Sequence, residues 1–246
     1  ANIIMSIYGS LIYMSGIIGG WIADRITGTR KAVFYGGILI MIGHILLALP
    51  LGATALYLSM FFIIIGTGLL KPNVSSVVGD MYAPNDARRD SGFSIFYMGI
   101  NLGGFTAPLL VGLFQQNWGF HAGFGVAAVG MFIGLVVYLM SQKSLGLAGS
   151  IAPNPLSPAE KKTTTRNFTL GGLVIVILGF IAYKTGNASI ENFSLLITFL
   201  GVMIPTLFII FMYRSPKTNA DEKSRLLAYI PLFICAVMFW AIAEQS

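Results

Sequence analysis

The chain has 246 residues, 56% of them hydrophobic and only 10% charged, with a net charge of +6. Soluble domains carry about 25% charged residues, so a mean hydropathy of +0.80 excludes an ordinary soluble domain and points to an integral membrane protein. The single cysteine, Cys235, excludes an intrachain disulfide.

A membrane-spanning helix takes about 20 largely apolar residues. Eight stretches qualify: 1–22, 32–50, 55–79, 92–114, 122–140, 169–184, 191–213 and 226–246. The first opens without a basic leader, so no cleavable signal peptide is expected. It carries Ser6, Ser10, Tyr13, Gly16 and Gly20 as a small and polar stripe. The third contains GTGLLKPNVSSVVGD (66–80), with Lys71 and Pro72 beyond an apolar run. The fourth lines up Ser94, Tyr97, Asn101 and Phe105, with Pro108 a turn further on. Small-xxx-small pairs, Gly99/Gly103 in the fourth and Gly130/Gly134 in the fifth, are expected at close helix contacts. Residues 141–168 are rich in Pro, Ser and Gly and read as a linker dividing five spans from three. The eighth span places Phe233, Trp240 and Glu244 at helical spacing.

Charge orients these spans. The segments 23–31, 80–91, 141–168 and 214–225 hold nearly all of the 15 Lys and Arg residues, whereas 51–54, 115–121 and 185–190 hold none. The positive-inside rule makes the first set cytoplasmic. Orientation thus explains the net charge, and a nucleic-acid partner is not expected.

Lys71 is the residue that least belongs in lipid. A charge at mid-membrane costs several kcal/mol and normally faces a bundle interior or water. Ile64, Thr67, Gly68, Lys71 and Ser75 share one mostly small or polar face. Pro72 has no N–H, so the Gly68 carbonyl loses its helical partner and a bend is expected. The competing reading is that Lys71 snorkels to the cytoplasmic headgroups. Glu244 poses the same question: a carboxyl in the membrane suits a proton relay, yet it lies about 27 Å along the helix from Leu226 and near the outer surface.

Four helices with polar faces describe a hydrated cavity lined by a Lys, a Glu, an Asn and several Tyr. Lys71 would face a carboxylate and Glu244 an ammonium, so a small dipolar solute fits, with protons as the coupling ion. No metal cluster, Ser–His pairing or phosphate loop is visible, and His44 and His121 fall in different segments. Neither an enzyme nor a channel is expected, and no cofactor or metal.

Four stretches carry a resemblance. They are GGWIADRITGTRKAVFYGG (19–37), residues 66–82, GFSIFYMGINLGGFTAP (92–108) and FWAIAEQS (239–246). The first resembles the signature loop of the major facilitator superfamily, with Asp24, Arg25, Gly28 and Arg30 as a charged latch. Together they resemble the proton-dependent oligopeptide transporter family, bacterial type, over nearly the whole chain.

The resemblance implies an all-α membrane protein with a major facilitator-type helical bundle, eight of whose transmembrane helices lie here. It implies an N-terminal bundle in 1–140 lacking its first helix, a cytoplasmic linker in 141–168, an inserted helix pair in 169–213, and the first helix of a second bundle in 214–246. The family's first helix and last five helices fall outside these residues, so a complete transport cycle is not expected of them alone. Its function would be import of di- and tripeptides with protons by alternating access, in a multi-pass protein of the plasma or inner membrane, expected as a monomer. Nitrate, another anion or a drug is the alternative solute.

The resemblance also implies roles. Lys71 would meet the peptide carboxylate and take part in gating, and Asn101 would bond the peptide backbone or carboxylate. Tyr13 would line the pocket, Glu244 would serve gating, proton coupling and the ammonium end, and Phe233 and Trp240 would form side-chain subsites. Ser6 stands where animal members carry a coupling histidine.

Overall fold

The structure is a computed structural model that describes residues 2–83, 85–216 and 218–243. Eight long α-helices are present among them: α1 (Asn2–Ile22), α2 (Thr29–Ala48), α3 (Gly52–Asp80), α4 (Arg89–Trp118), α5 (Phe120–Met140), α6 (Pro158–Lys184), α7 (Ile190–Arg214) and α8 (Ala220–Ala243). Each expected span falls on one of them over its described residues, give or take a residue or two at the ends. Seven, α1 to α7, are long and apolar enough to cross a membrane. The chain clusters into two compact units, Ala1–Ile190 and Glu191–Ser246.

In the first unit α3 lies between α1 and α2, α2 also packs on α5, and α5 on α4. Small residues make these contacts. Gly36 of α2 faces Gly66 of α3 so closely that a Cβ on either would lie 2.7 Å from the other's carbonyl oxygen. Gly43 meets Ile63 and the Ser59 carbonyl, and Gly37 meets Leu135 of α5. Helices in lipid gain no hydrophobic drive toward one another, so close backbone approach and packing hold them. Ser59 and Asn73 of α3 are buried, as are Ala32, Ile40, Ala55 and Ile63.

The paired glycines singled out from the sequence are not the ones that pack. A Cβ at Gly99, Gly103, Gly130 or Gly134 would meet nothing within 4 Å. The spacing says that two small residues share a helix face, not that this face has a neighbour.

The linker is also more ordered than its composition suggests. Helix α6 starts at Pro158, well before the expected span at 169. The Ser157 hydroxyl accepts from the Glu160 amide while the Glu160 carboxylate accepts from the Ser157 amide, with Pro158 at the first helical position. This is a reciprocal capping box, and proline's fixed φ suits that position. Between α3 and α4, the Asp86 carboxylate accepts from the Arg88 amide and guanidinium at 2.8–3.1 Å. Those donors hold the Asp86 carboxyl down at about 2.

The second unit holds nearly all of α7 and the whole of α8. Asn219 and Glu222 form another reciprocal cap, at 2.8 and 2.9 Å, that starts α8. The boundary after Ile190 falls within the stretch expected as an inserted helix pair.

Candidate functional site

Lys71 and Tyr13 are brought together. The Lys71 Nζ lies 4.4 Å from the centre of the Tyr13 ring, within cation–π range. The two line a cleft of about 350 Å³ between α1 and α3, with Ile12, Gly16, Ile17, Thr67 and Pro72. Both side chains are exposed on the free face of the α1–α3 pair. Among the described residues no carboxylate pairs with Lys71. An ammonium so placed, on a ring rather than on an acid, keeps a positive charge that an anion can approach.

The backbone behind Lys71 explains its position. Helix α3 runs unbroken through Pro72. The Gly68 carbonyl, which Pro72 cannot bond, presses on Gly19 of α1 where a Cβ would collide. One turn away the Ser15 hydroxyl lies within hydrogen-bond range of two carbonyls, those of Ile12 at 2.7 Å and Ile64 at 2.9 Å. The Asn73 amide donates to the Gly19 carbonyl at 3.2 Å and to that of Leu69 at 2.7 Å. These contacts pin α1 to α3 on the side away from the cleft and leave Lys71 and Tyr13 facing outward. Sequence reasoning passed over Ser15 and Asn73. Asn73 lies two residues from Lys71 and so points away from the polar face, where its amide needs a partner inside the bundle. Asn73→Leu is expected to cost about 0.6–2 kcal/mol, measured as a lower Tm of the full-length protein in detergent.

Asn101 lies elsewhere. Its amide donates to the Tyr97 carbonyl of its own helix at 2.9 Å and is exposed. It does not line the Lys71 cleft. The polar stripes of α3 and α4 meet instead through Ser75 and Tyr97, in a wider cleft of about 750 Å³ that also takes in Asp80, Tyr82, Arg89 and Phe93. Phe233, in the second unit, has its ring 6.3 Å from that of Tyr229. The Trp240 side chain and all of Glu244 lie outside the described residues.

The signature loop is built as a strapped turn. Ala23–Thr27 form a π-helical turn, and Gly28 follows at φ 79°, a left-handed conformation that favours glycine. Two strands of backbone contact reach it from the linker. The Arg30 amide donates to the Gly149 carbonyl at 2.9 Å, while the Asn154 and Leu156 amides donate to the Asp24 and Arg25 carbonyls at 3.0 and 3.1 Å. The Arg30 guanidinium donates to the carbonyls of Gly146 at 2.9 Å and Gln142 at 2.5 Å, and Arg25 pairs with Glu160 at 2.7 Å. Asp24 is exposed. Three of the four signature residues thus fasten the turn to the segment that follows α5.

Comparison with known proteins places this arrangement. The sequence model PTR2, described as the POT family, matches residues 30–246. The uncharacterized transporter YclF of Bacillus subtilis (strain 168) is 58% identical over 244 residues, covering 99% of this chain and 49% of that protein. The di-/tripeptide transporter of Lactococcus lactis subsp. lactis (strain IL1403) is 44% identical over 251 residues, covering 100% of this chain and 50% of that protein. A crystal structure of a peptide transporter POT in complex with sulfate superposes with a TM-score of 0.89 at 61% identity, covering 99% of this chain and 50% of that one. The chain spans about half the length of the curated relatives it matches. Their helical architecture and its own apolar helices make it a multi-pass membrane protein of the major facilitator type, and the chain belongs to the POT family.

Proposed function

We propose that the protein is a proton-coupled symporter that imports di- and tripeptides by alternating access. The observation that carries this is Lys71: an exposed ammonium on a polar helix face, resting on Tyr13 and free of any carboxylate partner among the described residues. Such a group receives the carboxylate of a peptide. Asn101 hydrogen-bonds the peptide backbone, Phe233 and Trp240 provide side-chain subsites, and Glu244 meets the ammonium end and carries the coupling proton. Asp24, Arg25, Gly28 and Arg30 form the cytoplasmic latch, the protein works as a monomer in the cell membrane, and protons are its only coupling partner.

Binding and protonation drive uptake when both favour the same inward-moving state, because a ligand shifts an equilibrium only by its differential affinity for the two states. The bundles then rock about the central site. Relatives named for di- and tripeptides favour peptides over an anion or a drug as the solute. The test is uptake of labelled dialanine by the full-length protein in liposomes with an alkaline interior. Uptake should vanish with a protonophore and be competed by unlabelled dipeptides but not by free alanine. Driven uptake of nitrate, with no uptake of dialanine, would replace this reading.

A further inference from the structure

A third cleft, of about 210 Å³, lies where the start of α2 meets the end of α5 and shares no lining residue with the Lys71 cleft. Arg30, Lys31, Tyr35, Leu139, Gln142 and Ser150 line it. Arg30 is fixed there by two carbonyls, Gly146 and Gln142. Carbonyls orient a guanidinium without neutralising it. Among the described residues no carboxylate pairs with Arg30 or with Lys31. Lys31 is exposed. Both cations sit on the first turn of α2, where the helix dipole adds positive potential. The cleft is therefore a small basin of uncompensated positive charge.

Its outer wall is apolar. Tyr35 is 53% and Leu139 49% exposed, and both belong to helices long and apolar enough to span a membrane. A soluble anion would use the cations and leave this wall bare. A phospholipid would use both, placing its phosphate on Lys31 and its acyl chains along α2 and α5. Basic pockets between helices at the cytoplasmic face are suited to acidic headgroups, and the surface there is anionic.

We propose that this cleft is a headgroup site for an anionic phospholipid. The Lys31 ammonium and the Gln142 side-chain amide contact the phosphate, and Arg30 supplies fixed charge behind it. Because Gln142 and Gly146 also hold Arg30, an occupied site braces the segment that straps the signature loop.

The test uses the full-length protein in detergent, titrated with phosphatidylglycerol or phosphatidylcholine and followed by thermal unfolding and by native mass spectrometry. Phosphatidylglycerol should raise Tm and stay bound, and phosphatidylcholine should do neither. Lys31→Gln should weaken phosphatidylglycerol binding about fivefold, from the loss of one basic contact. Lys31→Arg should restore it, and Lys162→Gln, an exposed change on α6, should leave it intact. Equal loss in Lys162→Gln would mean a diffuse surface effect and would overturn the site. So would equal binding of the two lipids. Inorganic phosphate that alone raises Tm through Lys31 would overturn the lipid and make the ligand a soluble anion.

Discussion

Replacing Lys71 with alanine is expected to reduce gradient-driven dipeptide uptake to background. The ammonium lies 4.4 Å from the Tyr13 ring centre and meets no acid among the described residues, so the proposed function makes the peptide carboxylate its counter-ion. Lys71 is exposed here; once the proposed closure of the site around a peptide desolvates the pair, truncating one partner costs about 2–5 kcal/mol, which is a loss of about 30-fold or more in affinity. Proton-driven accumulation should fall further than binding does, because Lys71 is also assigned to gating. Lys71→Arg keeps the charge but changes a compact ammonium into a planar fork, and the two are not interchangeable at a shaped site. It should retain measurable peptide binding while transporting slowly. Near-normal driven uptake in Lys71→Ala would remove the residue from the mechanism. Tyr13→Phe, in contrast, keeps the ring face under the ammonium and should leave binding within a few-fold of the parent.

The second large effect is expected at Gly66. A leucine there would put its Cβ 2.7 Å from the Gly36 carbonyl oxygen and 2.8 Å from the Ile40 amide nitrogen. Both are backbone atoms of a facing helix, so no side chain can turn aside. Overpacking of a tight core costs about 1–3 kcal/mol, and Gly66→Leu should reach the top of that range or exceed it. The expected readout is loss of monodisperse protein on size-exclusion chromatography, or a sharply lower Tm. Gly134→Ala is the matched control. Its Cβ would meet nothing within 4 Å, and alanine is the better helix former by about 1 kcal/mol. It should leave Tm unchanged or slightly raised. If both variants behave alike, the α2–α3 seam is not where the bundle is held.

The contrast between these glycines shows what the sequence makes legible. Span positions could be read because lipid demands long apolar runs and because charge alternates between loops. The conjunction of Lys71 with Tyr13 could be half read: the cost of a charge at mid-membrane marks Lys71, and its helical stripe marks the face, but neither identifies the helix opposite. Which glycines pack was not legible, since Gly36 and Gly66 carry no spacing signal within their own helices that separates them from Gly130 and Gly134. The linker misled for a different reason. Its Pro, Ser and Gly content forbids a long regular element through most of its length, yet backbone amides at 154 and 156 still find carbonyls in the signature turn, and one capping box at Ser157 is enough to start α6 early. Asn101 was grouped with Lys71 because both are polar in apolar helices. In the structure its amide is satisfied by its own helix, an option that side-chain-to-backbone bonding always leaves open to asparagine.

Proton entry on addition of dialanine, to liposomes that hold the full-length protein and a trapped pH-sensitive dye, tests coupled peptide transport most directly. The account predicts rapid internal acidification with dialanine, none with free alanine, and none with dialanine when Lys71 is alanine. Uptake of dialanine without acidification, or acidification that survives Lys71→Ala undiminished, would contradict it.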